Sequence, residues 1–245
     1  MARGAQVQAK GKGADAKGAT PPPQTDPSPG APSATTPALT SFDIFELCVA
    51  RARNLIKLHQ AAHGKAGKPE PYASDAHRGA IVLAIAALEA FVRDFVIHHA
   101  RQRLSNKAQT LPDALKDRIK KFLNDDALLD AARKDDLLER VEAAFRSDFE
   151  KRSFQGTRNI EDLFRVVGFD SIFHEVAVSA GINEDTLRAQ IEGFTKRRHA
   201  IAHRGDYDLN QRPPRENGIT KRDAEDCVRL VCLIAKHMHE VGSKP

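Results

Sequence analysis

Three observations predict an all-α fold. Apolar residues recur at three- and four-residue spacing through most of the chain beyond position 40, and no stretch alternates convincingly enough to be a strand. Polar stretches containing Gly and Pro punctuate that pattern. The composition is 41% hydrophobic but only 6% aromatic, with no tryptophan, which suits aliphatic packing between helices. A chain of 245 residues accommodates one such domain plus an appendage, and no internal repeat divides it.

Residues 1–39 are rich in Ala, Gly, Lys, Pro and Thr and include Pro21, Pro22 and Pro23. Such a segment cannot bury a core, so a disordered tail acting as a spacer is expected, followed by one helical domain over 40–242. The first helix is expected over 42–62, carrying the apolar residues Phe45, Cys48, Val49, Ala52, Leu55 and Ile56. A loop with Gly64, Gly67, Pro69 and Pro71 follows. Ser74 or Asp75 then caps a long helix running to about Leu104. Between Ala80 and Val92 this helix is apolar almost all round, which marks it as the central buried element. Glu89 is the one charge inside that run. It has two open roles, pairing with an arginine of a neighbouring helix or orienting Arg198 or a substrate, and Arg93 stands at the i, i+4 position that favours an intrahelical pair.

Two charge-dense amphipathic helices, 112–123 and 126–151, suit an outer layer. A polar loop at 153–159 leads to short helices at 160–167 and 171–179, closed by Gly168 and Gly181. The next helix runs from Asn183, a good N-cap with Glu184 and Asp185 behind it, to His203, with Gly205 as its stop. After a loop over 204–219, Thr220 with Asp223 opens the last helix to about Val241.

The informative stretch lies at the end of the helix that begins at Asn183. Leu187, Ile191, Phe194 and Ile201 form an apolar stripe, and Arg198 falls in its middle, where an aliphatic residue is expected. A guanidinium there is costly unless it meets an anion or lines a cavity. His203 follows five positions later, in the last turn, where the helix can open and redirect it. Between Thr195 and Arg222 stand eight Lys/Arg (Lys196, Arg197, Arg198, Arg204, Arg212, Arg215, Lys221 and Arg222) against Asp206, Asp208 and Glu216. That segment alone carries an excess equal to the whole net charge of +5, as a phosphate-bearing partner requires.

Arg198 to His203 spells R-x4-H, and the chain thereby resembles the HEPN superfamily. Ala87–Asp94 is similar to an early family helix, and Asn159–Phe164 with Gly168 and Phe169 to the segment before the motif helix. Together these resemble the RiboL-PSP type of HEPN domain over roughly 42–241. The resemblance implies an all-α, HEPN-like bundle and a homodimer whose two motifs face one composite cleft. It implies a metal-independent RNA endonuclease of the toxin or antiphage-defence type, restrained by an antitoxin or other regulatory protein. Its products would end in a 2′,3′-cyclic phosphate and a 5′-hydroxyl. By this mapping Arg198 stabilises the transition state, His203 is general base or acid, and His199 orients the site. Glu89 and Arg197 support it, Arg197 through a backbone contact. Lys196, Arg204, Arg212 and Arg215 are the expected nucleic-acid contacts. The alternative is a non-catalytic HEPN module binding nucleic acid, nucleotide or a protein.

Other classes find no signal. His199 and His203 at i, i+4 lack a third ligand at a telling distance, so no metal and no cofactor is expected. No P-loop, dinucleotide fingerprint or nucleophile elbow occurs. Cys48, Cys227 and Cys232 have no metal-like spacing and suit a reducing compartment. With no apolar leader and no run long enough to span a bilayer, a cytoplasmic protein without membrane contact is expected.

Overall fold

The computed structural model describes residues 39–62, 73–151 and 156–243. Residues 1–38 of the tail expected over 1–39 and the Gly/Pro loop after the first helix lie outside them, as do residues 153–155 of the expected polar loop. Among the described residues the fold is all-α, with nine helices. They are α1 (Ser41–Ala62), α2 (Ala73–Ser105), α3 (Asp113–Phe122), α4 (Asp125–Lys134), α5 (Leu137–Lys151), α6 (Thr157–Val166), α7 (Ile172–Ala180), α8 (Glu184–Arg204) and α9 (Lys221–Gly242). No helix among the described residues is long and apolar enough to cross a membrane.

The 33-residue α2 is the axis of the bundle and packs against α1, α5, α6, α8 and α9. Its apolar run explains this: Ala80, Ile81, Ala84, Ile85, Leu88, Phe91 and Val92 are all buried, so neighbours are needed on several sides. Ala80, Ala84 and Ala87 are buried on α2 beside Phe91 and Phe95, and Phe91 meets Phe45 of α1 at 5.6 Å between ring centroids. Phe95 stacks on Phe164 of α6 at 4.8 Å between ring centroids, joining the outer helices to the centre.

Local chemistry sets most boundaries. Thr40 and Asp43 bond reciprocally to open α1, and Thr220 and Asp223 form the same capping box on α9. The helix expected over 126–151 is two helices. Asp135 adopts φ 55° and ends α4, a left-handed turn that aspartate tolerates better than most side chains. Helix α6 begins at Thr157, earlier than local pattern indicates, because its cap comes from elsewhere in the chain. The Thr157 backbone N and its hydroxyl both donate to Glu192 Oε1 of α8, at 2.6 and 2.8 Å. The loop expected over 204–219 contains a two-stranded antiparallel hairpin, β1 (Tyr207–Asp208) and β2 (Arg215–Glu216), with Asp208 opposite Arg215.

Gly242 shows how tightly the end of α9 meets the centre. A methyl added there would lie 2.3 Å from Phe95 Cζ and 2.8 Å from His99 Nε2. Gly242→Ala gains up to about 1 kcal/mol of helix propensity but overpacks the core at a cost of about 1–3 kcal/mol. The expected net result is destabilisation, read as a lower urea midpoint.

His99 is buried between Phe95 and Phe169, and its pKa is pushed down to about 4, chiefly by burial and further by the His98 and Arg103 charges. An unfolded histidine titrates near about 6.5. Between those values the unfolded chain takes up a proton that the folded chain refuses, so this residue costs stability as pH falls from 6.5 towards 4. Urea titrations of wild type and His99→Leu at pH 7 and 4.5 are expected to differ in their acid loss by roughly 2–3 kcal/mol. Equal acid losses would show that His99 is not the group responsible.

Candidate functional site

Helix α8 is set by its two ends. The Asn183 side chain accepts from Thr186 N at 2.9 Å, and Gly205 at φ 59° turns the chain out of the helix. Gly205 N and Asp206 N then donate to the Ile201 and Ala200 carbonyls at 3.2 and 3.1 Å. Leu187 and Ile191 are buried, whereas Phe194, Arg198 and Ile201 are only half-buried. The apolar stripe thus runs out of the core along the second half of the helix, and Arg198 sits where it leaves.

Arg198 forms no ion pair among the described residues, and its Nε is buried without a hydrogen-bond partner. His199 and His203 are exposed on another face, with ring centroids 4.3 Å apart. The expected opening of the last turn does not occur, because Gly205 and Asp206 keep α8 regular through Arg204. Five residues of unbroken helix place Arg198 and His203 about 140° apart around the axis. Thr195, Lys196, His199, Ala200 and Arg204 line an open hollow of about 420 Å³.

Arg197 departs from expectation. A nucleic-acid contact was expected of it, but its guanidinium turns into the protein and donates to Asp206 Oδ2 at 2.6 Å and Gly218 O at 2.9 Å. The same Asp206 oxygen accepts from Arg78 Nε of α2 at 3.0 Å. Asp206 is wholly buried and Arg78 is 5% exposed, so this is an internal ion-paired knot. Glu89 accepts from Arg93 Nη2 at 2.7 Å, the intrahelical pair expected at i, i+4.

Arg197 is neutralised by Asp206, while Lys221 and Arg222 face Glu225 and Asp226. Lys196, Arg198, Arg204, Arg212 and Arg215 form no ion pair among the described residues. Lys196 and Arg204 are exposed on α8, lining the same hollow as His199, and Arg212 and Arg215 are exposed on the hairpin, so α8 and the hairpin after it both present uncompensated positive charge.

Arg78, Asp206, Asn217 and Glu192 were not legible as site-forming residues. Asp206 reads locally as one acid among basic neighbours, and Arg78 as a polar residue in the first turns of a helix. Their partners lie 128 positions apart in the chain, beyond any local pattern.

Other reactive groupings are less apt. Ser179 Oγ and Glu240 Oε2 lie 2.8 and 3.0 Å from His237, but both from the same nitrogen, Nδ1. A relay from serine through imidazole to carboxylate needs both ring nitrogens. Burial pushes the Cys227 thiol up to about 12 and raises Cys232, the reverse of an activated nucleophile. Among the described residues no group of three or more His, Cys, Asp or Glu is placed to hold a metal.

Removing the buried carboxylate leaves the buried Arg78 with only the solvent-exposed Asp75 and Glu216 as counter-charges. Asp206→Ala is expected to cost about 3–5 kcal/mol, measured by urea denaturation. A loss below about 1 kcal/mol would mean that water or Glu216 satisfies Arg78 in its place.

The family model for RiboL-PSP-HEPN matches residues 47–241 of the chain. No curated protein and no solved structure matches it.

Proposed function

Starting from a chain that belongs to the RiboL-PSP-HEPN family, we propose that it is a metal-independent RNA endonuclease working as a homodimer. The observation that carries this reading is the pair of exposed histidines on α8 with Lys196 and Arg204 beside them, together with a half-buried Arg198 that forms no ion pair and whose Nε has no acceptor among the described residues.

RNA supplies its own nucleophile. A base removes the 2′-hydroxyl proton, the 2′-oxygen attacks the adjacent phosphorus, and the 5′-oxygen leaves with a proton from an acid. The products are a 2′,3′-cyclic phosphate and a 5′-hydroxyl, and no water is consumed. Histidine serves either proton transfer near neutral pH. Arginine donates a fork of N–H groups to the phosphoryl oxygens, most strongly when charge has built up on them.

One protomer does not assemble all the parts. Base and acid must stand on opposite sides of the phosphorus, and rings 4.3 Å apart leave no room for a phosphodiester between them. Arg198 also points well away from His203 around the same helix. A second copy, meeting the first along the stripe of Phe194, Arg198 and Ile201, would bring Arg198 of one subunit towards the histidines of the other. In this scheme His203 is the acid or base, His199 and Lys196 orient the strand, and Arg204, Arg212 and Arg215 hold neighbouring phosphates. Arg197 supports from inside the fold rather than on the RNA. An enzyme of this kind acting on cellular RNA suits a toxin or antiphage-defence role under restraint by a partner protein.

The test is cleavage of mixed cellular RNA by the full chain in EDTA. Wild type is expected to release fragments ending in cyclic phosphate, and Arg198→Ala and His203→Ala each to lower the rate at least about 100-fold. Salt-dependent RNA binding without cleavage, from a folded dimeric wild type, would replace this reading with that of a non-catalytic RNA-binding module.

A further inference from the structure

The hairpin between α8 and α9 carries two of the unpaired cations, Arg212 and Arg215, yet its own strands are only two residues each. An isolated two-stranded hairpin is marginal in water, so its position must come from elsewhere. It comes from the knot around Asp206. The chain enters the hairpin at Asp206 and leaves at Asn217, and Asn217 closes the base by donating from N and Nδ2 to Asp206 O at 2.9 and 2.8 Å.

Arg78 spans that closure from α2. Its Nε meets Asp206 Oδ2 at 3.0 Å, Nη2 meets Asn217 O at 2.8 Å, and Nη1 lies 3.0 Å from Glu216 Oε1 and 2.6 Å from Ser74 Oγ. Three of these acceptors are the entry, the exit and the second strand of the hairpin. Only a planar guanidinium has donors in the fixed fork that meets them together, and a lysine ammonium cannot. Arg197 adds a tie from α8 to the same Asp206 oxygen. The knot thus joins the central helix, the motif helix and the cation-bearing hairpin at a single carboxylate.

We infer that Arg78, acting through Asp206 and Asn217, is a positioning residue for RNA binding. It holds the hairpin so that Arg212 and Arg215 extend the track of positive charge begun by Lys196 and Arg204 on α8. The inference rests on the RNA reading of the site but not on turnover. A loop free to wander would have to be ordered each time the strand bound, whereas a hairpin fixed by a buried ion pair is already in place.

The experiment measures binding of a fluorescent single-stranded RNA to the full chain carrying His203→Ala, which prevents turnover, across a salt series. Three variants are built on that reference: Arg78→Lys, the pair Arg212→Ala with Arg215→Ala, and the combination of all three changes. Arg78→Lys keeps the charge, so any loss comes from geometry. The arginine pair and Arg78→Lys are each expected to weaken binding roughly 10-fold at low salt and to flatten the slope of log K against log salt by up to about 1.4, two phosphate contacts at ~0.7 each. The combination is expected to bind no more weakly than the arginine pair alone. An unchanged slope for Arg78→Lys, or additive losses in the combination, would overturn the inference, since Arg78 would then act by another route. If Arg78→Lys does not fold, Asn217→Ala opens the hairpin base and is read by the same slope and the same non-additivity. Failure of the His203→Ala reference to bind RNA at any salt would instead refute the RNA reading of the site, and this inference with it.

Discussion

The buried carboxylate of Asp206 is the constraint on which the functional end of the molecule depends. A wholly buried aspartate is tolerable only with charged partners, and here two guanidiniums converge on the same oxygen from different helices. The pairing fixes three things at once. It anchors the C-terminal end of α8 just beyond His203, sets where the hairpin leaves the bundle, and locks both to α2. The apolar core fills the rest of the domain, but hydrophobic packing is non-directional and would not by itself specify where that polar end points.

The same knot separates two populations of cation. Arg78 and Arg197 are spent inside the protein, where their cost is offset by short charge-assisted hydrogen bonds. Lys196, Arg204, Arg212 and Arg215 remain exposed, and Arg198 stays at the edge of the apolar stripe without an anion. Counting charges along the chain treats all of these alike. Counting them after folding shows which are available to a phosphate and which are structural.

The geometry of α8 also argues about assembly. A regular helix end keeps His199 and His203 side by side and turns Arg198 away, so the groups that the proposed phosphodiester transfer needs are divided between faces of one helix. The half-buried state of Phe194 and Ile201 fits a surface that a second copy completes. An arginine on such a stripe is unfavourable for the isolated protomer and useful only where an anion or another chain meets it. That tension between local packing and function is what makes the position conspicuous in the sequence.

Much of the architecture follows from the sequence alone. The apolar run from Ala80 to Val92 demands neighbours on several sides and so determines a central helix. Asn183, Gly205, Thr220 and Asp223 determine where the last two helices begin or end, because caps are local chemistry between residues three or four apart. The motif, its place on the stripe and the local excess of positive charge are equally matters of spacing and composition. Tertiary structure alone decided the rest. The break at Asp135 depends on a left-handed turn that an aspartate permits but does not require. The cap on α6 is supplied by Glu192 from another helix, 35 positions away. Arg197 differs from Arg198 by one position, yet that 100° step turns it onto Asp206 and out of the proposed nucleic-acid track. Arg78 is silent in the sequence for the same reason. The charge of a side chain is written in its identity, but whether that charge is free or already paired depends on what the fold brings within about 3 Å of it.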